Sequence, residues 1–273
     1  MDLTAISDRG LVLLGCGKMG TALLEGWLAR GLPPEAVTVL EPRPGARLEE
    51  LAERGLHLNT DLPARPAVAV LAVKPQMMGD ALPRLAALGN GDTVFVSIAA
   101  GTPIRAFEAA LGAGTPIVRA MPNTPAAVGR GISALIGNAR ADEAAMGLAE
   151  TLLQAVGQAV RVEREADIDI VTGVSGSGPA YVFLLIEALA AAGAAEGLEA
   201  GLALSLARAT VAGAGALAES SGSDPAQLRI DVTSPNGTTA AALAILMQET
   251  DGLPALIRRA VAAATARSRE LGG

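Results

Sequence analysis

Gly15-Cys16-Gly17-Lys18-Met19-Gly20 follows the short apolar run at residues 11–14 and opens a helical pattern over residues 19–30. Glycines at this spacing serve three purposes. The first permits a tight turn, the second lets bare backbone approach a pyrophosphate, and the third lets helix and strand pack closely. The N-terminus of the helix then favours the negative charge. In its strand–turn–helix setting the pattern predicts a dinucleotide site. After a second apolar run, residues 37–40, come Glu41, Pro42 and Arg43. A carboxylate there accepts hydrogen bonds from a ribose diol and repels a 2′-phosphate, whereas Arg43 attracts one. NADH and NADPH both stay open, and Glu41 tilts the balance slightly to NADH.

Groups that handle protons are scarce. The chain of 273 residues has two lysines, Lys18 and Lys74, one histidine, His57, and one tyrosine, Tyr181. Reducing an ordinary ketone calls for an acid at the carbonyl oxygen, most often His, Lys or Tyr. The second half offers only Tyr181, with Leu185 rather than a lysine four positions on. His57 follows Gly55 in what reads as a loop, as an exposed polar residue. A protonated imine needs no such acid, because it is already electrophilic and its product amine keeps the proton. The protein then has to hold donor and acceptor together, which supplies much of the rate.

Two further segments concentrate small residues. Ser234-Pro235-Asn236-Gly237-Thr238-Thr239 interrupts one helical pattern and starts another. Consecutive N–H groups at a helix start hold a carboxylate, although a capped interhelical turn would have the same sequence. Residues 171–181, from Val171 to Tyr181, carry more glycine and serine than a plain helix connection needs.

The elements that must position these residues come in two styles. Up to residue 162 short β-branched runs (11–14, 37–40, 68–73, 93–98, 116–119, 132–136 and 158–162) alternate with helix-length segments (19–30, 46–54, 78–88, 103–111 and 141–156). That rhythm is the pattern of parallel strands with crossover helices. From residue 163 strand signals cease and alanine-rich helices follow, broken at 176–179, 193–201, 220–225, 234–237 and 251–254. Asp224 and Asp251 stand just ahead of prolines as capping residues. The expectation is a Rossmann-like α/β domain over residues 1–162 and an all-α domain over 163–273.

Composition bounds the partners. Net charge is −7, with 21 Lys+Arg against 28 Asp+Glu, which argues against nucleic acid and anionic membrane surfaces. One cysteine excludes an internal disulfide and a Cys-based zinc site, and suggests a reducing, cytoplasmic setting. The apolar run 180–195 is interrupted by Glu187 and falls short of a bilayer span, so it reads as a buried helix. Hydrophobic residues make up 51% and charged ones 18%, which leaves apolar surface for an oligomer.

Together the segments resemble the pyrroline-5-carboxylate reductases over nearly the whole chain. The resemblance rests on Gly15 to Gly20, Ala72-Val73-Lys74-Pro75, Ser97-Ile98-Ala99-Ala100-Gly101, Arg119-Ala120-Met121-Pro122-Asn123-Thr124-Pro125, Ser175 to Tyr181 and Val232 to Thr239. It implies reduction of Δ1-pyrroline-5-carboxylate to L-proline with NADPH or NADH, the last step of proline biosynthesis. By the same resemblance Gly15, Cys16, Gly17, Lys18, Met19 and Gly20 hold the pyrophosphate, and Asn59 lies on the adenosine ribose side. Ala72, Val73, Lys74, Pro75, Ala99 and Ala100 line the cofactor groove. Gly237, Thr238 and Thr239 bind the substrate carboxylate by backbone amides, with the Thr239 hydroxyl orienting the ring nitrogen. Glu165 matches an acidic position near the substrate, and equally suits a cap for the first helix of the second domain. The resemblance implies a homodimer through the helical domain and a ring of dimers. Asn236 departs from a usual glycine, which is tolerable because Asn enters the left-handed region, and Met247 replaces an acidic or amide residue.

Two other readings compete with this one. A β-hydroxyacid dehydrogenase relative shares the architecture but is disfavoured by a second half without lysine. A non-catalytic dinucleotide sensor is disfavoured by the small-residue turn at Gly237 to Thr239.

Overall fold

The structure, a computed structural model, describes residues 4–272. Contacts divide the chain into two units, Met1–Gly176 together with Ala264–Gly273, and Ser177–Ala263. In the first, α1 (Thr4–Arg9), β1 (Leu11–Leu14), α2 (Lys18–Ala29), β2 (Val37–Leu40), α3 (Ala46–Glu53) and β3 (His57–Leu58) come first. Next are β4 (Val68–Leu71), α4 (Met78–Ala81), β5 (Val94–Ser97), α5 (Ile104–Leu111) and β6 (Ile117–Met121). The unit continues with β7 (Gly131–Gly137), α6 (Glu143–Gln154), β8 (Gly157–Arg161) and α7 (Asp167–Val171).

The sheet runs β3-β2-β1-β4-β5-β6-β7-β8. Its first six strands are parallel and follow the doubly wound order, with the switch point between β1 and β4. Strands β1, β2, β4 and β5 are buried at every position, as a sheet covered on both faces requires. Because side chains alternate across a strand, Leu11 and Leu13 join Trp27, Val39 and Leu152 on one face. Val12 and Leu14 join Leu71, Phe95 and Phe107 on the other. The Trp27 indole N–H is satisfied in that core, donating to the Leu152 carbonyl at 2.9 Å.

Three features differ from the sequence expectation. His57 is exposed but lies on an edge strand rather than in a loop; β3 pairs at only two positions, too few to show a period. Residues 78–88 are a short α-helix followed by 3₁₀ turns, Leu82–Leu88, where Pro83 withholds an amide from a continuing α-helix. Strand β7 runs antiparallel to β6. The link, residues 122–130, is shorter than the roughly dozen residues that a parallel crossover takes.

The second unit contains α8 (Gly178–Ala195), α9 (Ala200–Ser221), α10 (Pro225–Asp231), α11 (Thr238–Leu246) and most of α12 (Leu253–Leu271). The break after Gly176 falls beyond the strand that ends near residue 162, because α7 buries Ile168 in the first unit. The end of α12 belongs there too, its buried Ser268 donating to Asp169 at 2.7 Å. Helices α8 and α9 approach closely at small residues, with a Cβ on Gly193 falling 3.4 Å from that of Ala203.

No residue of α8 is buried, and Val182, Phe183, Leu184, Leu185 and Leu189 are exposed. This corrects the expectation of a buried helix. A helix apolar all round needs cover, and its neighbours among the described residues leave α8 exposed. The bilayer argument is corrected as well. Asp167–Ala195 and Ala200–Ser221 are each long and apolar enough to cross a membrane by length and composition.

Glu199 caps α9, accepting hydrogen bonds from the Gly201 and Leu202 amides at 2.9 and 2.8 Å. Those bonds hold its carboxyl below the usual glutamate value. A lowered folded pKa contributes stability above the unfolded value of about 4.3 and loses it as pH falls through the folded one. Glu199→Ala should therefore lower Tm at neutral pH, and the difference from wild type should shrink in thermal melts as pH falls below the unfolded glutamate value of about 4.3.

Candidate active site

The three motif glycines occupy different surroundings at the carboxyl end of β1. Gly15 has φ 89°, and a Cβ there would lie 2.7 Å from Val73 Cγ1. A Cβ on Gly20 would fall 2.5 Å from the Gly15 carbonyl oxygen, so α2 can start this close to the strand only with glycine. A Cβ on Gly17 would meet nothing within 4 Å, which leaves the backbone open where α2 begins. The first-turn amides of α2 have no intrahelical acceptor and point the positive end of the helix at this opening. Burial pushes the Cys16 thiol pKa up, so the side chain is a protonated packing group beside Thr21.

A cavity of about 360 Å³ adjoins the loop. It brings together Gly17, Lys18, Met19, Ala72, Val73, Lys74, Pro75, Ala99 and Ala100, all expected from the sequence. They converge because β1, β4 and β5 end side by side, and ligands of open parallel sheets lie beyond those ends. The cavity also takes in Ile98, Met121, Pro122, Asn123, Thr124 and Gly176, to which sequence reasoning gave no role. The available signal was the Arg119-to-Pro125 motif, which ends β6. There Asn123 accepts a hydrogen bond from the Ile132 amide at 2.9 Å and shapes the turn into β7. Lys18 and Lys74 are the titratable side chains in this lining, and both are exposed.

Glu41 and Asn59 are paired beside the loop rather than in that lining. The Glu41 amide donates to Asn59 Oδ1 and Asn59 Nδ2 donates to the Glu41 carbonyl, each at 2.9 Å. Asn59 has φ 53°, a left-handed position that Asn tolerates.

In the second unit Asn236 has φ 57° and Gly237 is the N-cap of α11. A Cβ on Gly237 would fall 2.5 Å from Ser234 Oγ and 3.1 Å from the Ser234 carbonyl oxygen, so glycine lets the turn close tightly. Thr238 is exposed and Thr239 half-buried at the first turn of α11, where the N–H groups lack intrahelical acceptors.

Glu165 is engaged elsewhere in the first unit. It accepts from the Ile104 amide at 2.7 Å, so it caps α5 rather than α7, and pairs with Arg119 at 2.9 Å. Arg119 is buried on β6 and faces Asp169 at 3.5 Å. These three residues line a separate cavity of about 270 Å³ with Arg105 and Arg269. Removing one partner of a buried ion pair costs about 3–5 kcal/mol when nothing replaces it. Asp169 remains and Glu165 is a third exposed, so Glu165→Ala should cost about 1–2 kcal/mol in denaturant unfolding.

A family model described as pyrroline-5-carboxylate reductase dimerisation matches residues 165–271. One described as NADP oxidoreductase, coenzyme F420-dependent, matches residues 11–101. The pyrroline-5-carboxylate reductase of Pseudomonas aeruginosa is 42% identical over 97% of this chain and 98% of its own. That of Pisum sativum is 39% identical over 98% of each. Among solved structures, a pyrroline-5-carboxylate reductase from Coxiella burnetii superposes with TM-score 0.89 at 35% identity, covering 97% of this chain and 99% of that one. The Plasmodium falciparum pyrroline carboxylate reductase with NADP bound gives 0.84 at 29%, covering 98% and 99%.

Proposed function

The chain belongs to the pyrroline-5-carboxylate reductase family, and on that premise we infer that it reduces Δ1-pyrroline-5-carboxylate to L-proline with NAD(P)H, the last step of proline biosynthesis. The observation that carries the chemistry is the cavity beyond β1, β4 and β5, whose titratable lining among the described residues is two exposed lysines. With no histidine, tyrosine or carboxylate in that lining and both lysines exposed, the site suits an acceptor that brings its own proton. When bound, the reduced nicotinamide would supply a hydride to the carbon of the C=N⁺ bond, and the nitrogen keeps its proton and stays in the ring as a secondary amine.

The residues fit such a cofactor. Loop Gly15 to Gly20 offers bare backbone at Gly17, and the amides opening α2 suit the pyrophosphate. We assign Ala72, Val73, Lys74, Pro75, Ala99 and Ala100 to the groove walls, with Glu41 and Asn59 on the ribose side. Gly237, Thr238 and Thr239 suit the substrate carboxylate, since the start of α11 presents amides and a positive helix end. The Thr239 hydroxyl has the role of orienting the ring nitrogen rather than removing a proton. Glu165 matches an acidic position near the substrate in the family, but its bonds to Ile104 and Arg119 support a positioning role instead.

Purified protein should oxidise NADH or NADPH with Δ1-pyrroline-5-carboxylate; no turnover with either would reject the reading. Thr239→Ala should lower kcat by about ten- to a hundred-fold with an unchanged thermal melt, as loss of orientation does. Wild-type rates in that variant would remove the site assignment.

The chain forms a homo-oligomer through its helical region. The exposed apolar faces of α8 and α9 are suited to a second copy. A bilayer is the poorer cover, because Glu187 and Arg208 interrupt the two helices and a charge at the centre of a span costs about 2.5–3.5 kcal/mol. We propose a dimer, assembled further into a ring of dimers, in a reducing, cytoplasmic setting that suits one protonated thiol. Phe183→Glu, on the exposed face of α8, should dissociate the oligomer in light scattering and lower Tm. An unchanged mass would place the interface elsewhere.

A further inference from the structure

We propose that this chain selects NADH over NADPH, and that Glu41 is the residue that does so. The inference rests on the dinucleotide reading of the glycine loop. Strand β2 ends at Leu40, in register with Leu14 of β1, and the Gly15 amide donates to the Leu40 carbonyl at 2.9 Å. Glu41 therefore leaves the sheet beside the loop, where a dinucleotide domain meets the adenosine ribose.

Its carboxylate is fixed there. Oε2 accepts from the Cys16 amide at 2.8 Å, and Oε1 accepts from the Arg43 amide at 3.1 Å. Asn59 clamps the Glu41 backbone from the other side, and its own amide donates to the Val39 carbonyl at 2.8 Å. The side chain and backbone of Glu41 are thus held by β2, by the segment after β3, and by the glycine loop itself.

An ionised carboxylate has about four lone-pair sites, two on each oxygen. Each oxygen spends one on an amide, which leaves one acceptor site on each. A ribose 2′,3′-diol carries two O–H donors on adjacent carbons, one for each remaining site. A 2′-phosphate carries about −1.5 to −2 charges near neutral pH and has almost no proton to donate. It would meet a carboxylate that the backbone prevents from turning away. Arg43 is the cation a 2′-phosphate would need, and its own amide helps to hold the opposing charge in place. The Plasmodium falciparum relative has NADP bound, so the proposal sets this chain apart from it.

The test is to titrate the full-length protein with NADH and NADPH by nicotinamide fluorescence, and to measure kcat/KM for both with Δ1-pyrroline-5-carboxylate. Wild type should favour NADH by at least about ten-fold in Kd and in kcat/KM. Glu41→Gln removes the charge and should shift the NADH-to-NADPH ratio by about ten-fold or more toward NADPH, chiefly through KM. Glu41→Asp keeps the charge and should keep the NADH preference while weakening both cofactors. Arg43→Ala should leave the ratio unchanged. The proposal is overturned if wild type prefers NADPH, if Glu41→Gln leaves the ratio where it was, or if neither cofactor binds. Should Glu41→Gln fail to fold, the wild-type ratio and Arg43→Ala still decide. Tighter NADH binding without any imine turnover would reject the substrate reading and leave this one standing.

Discussion

Unpaired backbone amides at helix starts are what this protein has for gripping anions, and much of its architecture serves to expose them. Among the described residues the cavity beyond β1, β4 and β5 is lined by two exposed lysines and none of the chain's arginines, which leaves few cationic side chains for the task there. The α2 amides are available because Gly20 packs against the Gly15 carbonyl and Gly17 leaves the approach open. Those at α11 are available because Asn236 accepts a left-handed conformation and Gly237 fits against Ser234. At Gly20 a close backbone contact excludes any larger residue, and at Gly237 a Cβ would press on the Ser234 hydroxyl and carbonyl. Electrostatic preorganisation of this kind uses dipoles that need little reorientation when charge arrives.

The two units find cover in different ways. The first completes its own core, with both faces of the sheet packed by helices. The second packs α8 on α9 through Gly193, Ala203 and Ala207, yet keeps Phe183, Leu184, Leu202 and Leu206 exposed. Small residues at the helix contact bring the backbones close and leave the large side chains pointing outward. A helical region matched by a dimerisation family model is in this sense half of a core.

Much of the fold was legible because its signals are local. Runs such as Leu11–Leu14 and Val68–Leu71 are short and apolar, and the glycine spacing between β1 and α2 has a backbone cause. The residues around the cavity that sequence reasoning also reached, Ala72 to Pro75 with Ala99 and Ala100, end strands that sit next to each other in the sheet. What was not legible depends on distant partners. Nothing near Glu165 in the chain announces that its carboxylate will cap α5 and pair with Arg119. The antiparallel turn of β7 follows from the length of the preceding link rather than from any residue within the strand. Burial of α8 was misjudged because hydrophobicity reports that a face will be covered, not which chain covers it.

Arg119 shows how such a long-range device works. It sits at the end of β6, just ahead of the Met121-to-Thr124 wall of the cavity, and is almost fully enclosed. Glu165 binds both Arg119 and the first amide of α5, so one carboxylate ties a strand end to a helix start. Asp169 faces the same guanidinium and accepts from Ser268, which fastens the last turns of α12 to that strand. A buried charge is costly, and removing any one acceptor leaves it short of compensation. The cluster therefore resists rearrangement as a unit and keeps the end of β6 where it is. Gly17, Ala72, Ala99, Ala100 and Gly176 give their part of the cavity wall little side-chain bulk to keep its shape. The ion-pair cluster steadies the strand that leads to Met121 in that wall, from residues that do not line the cavity.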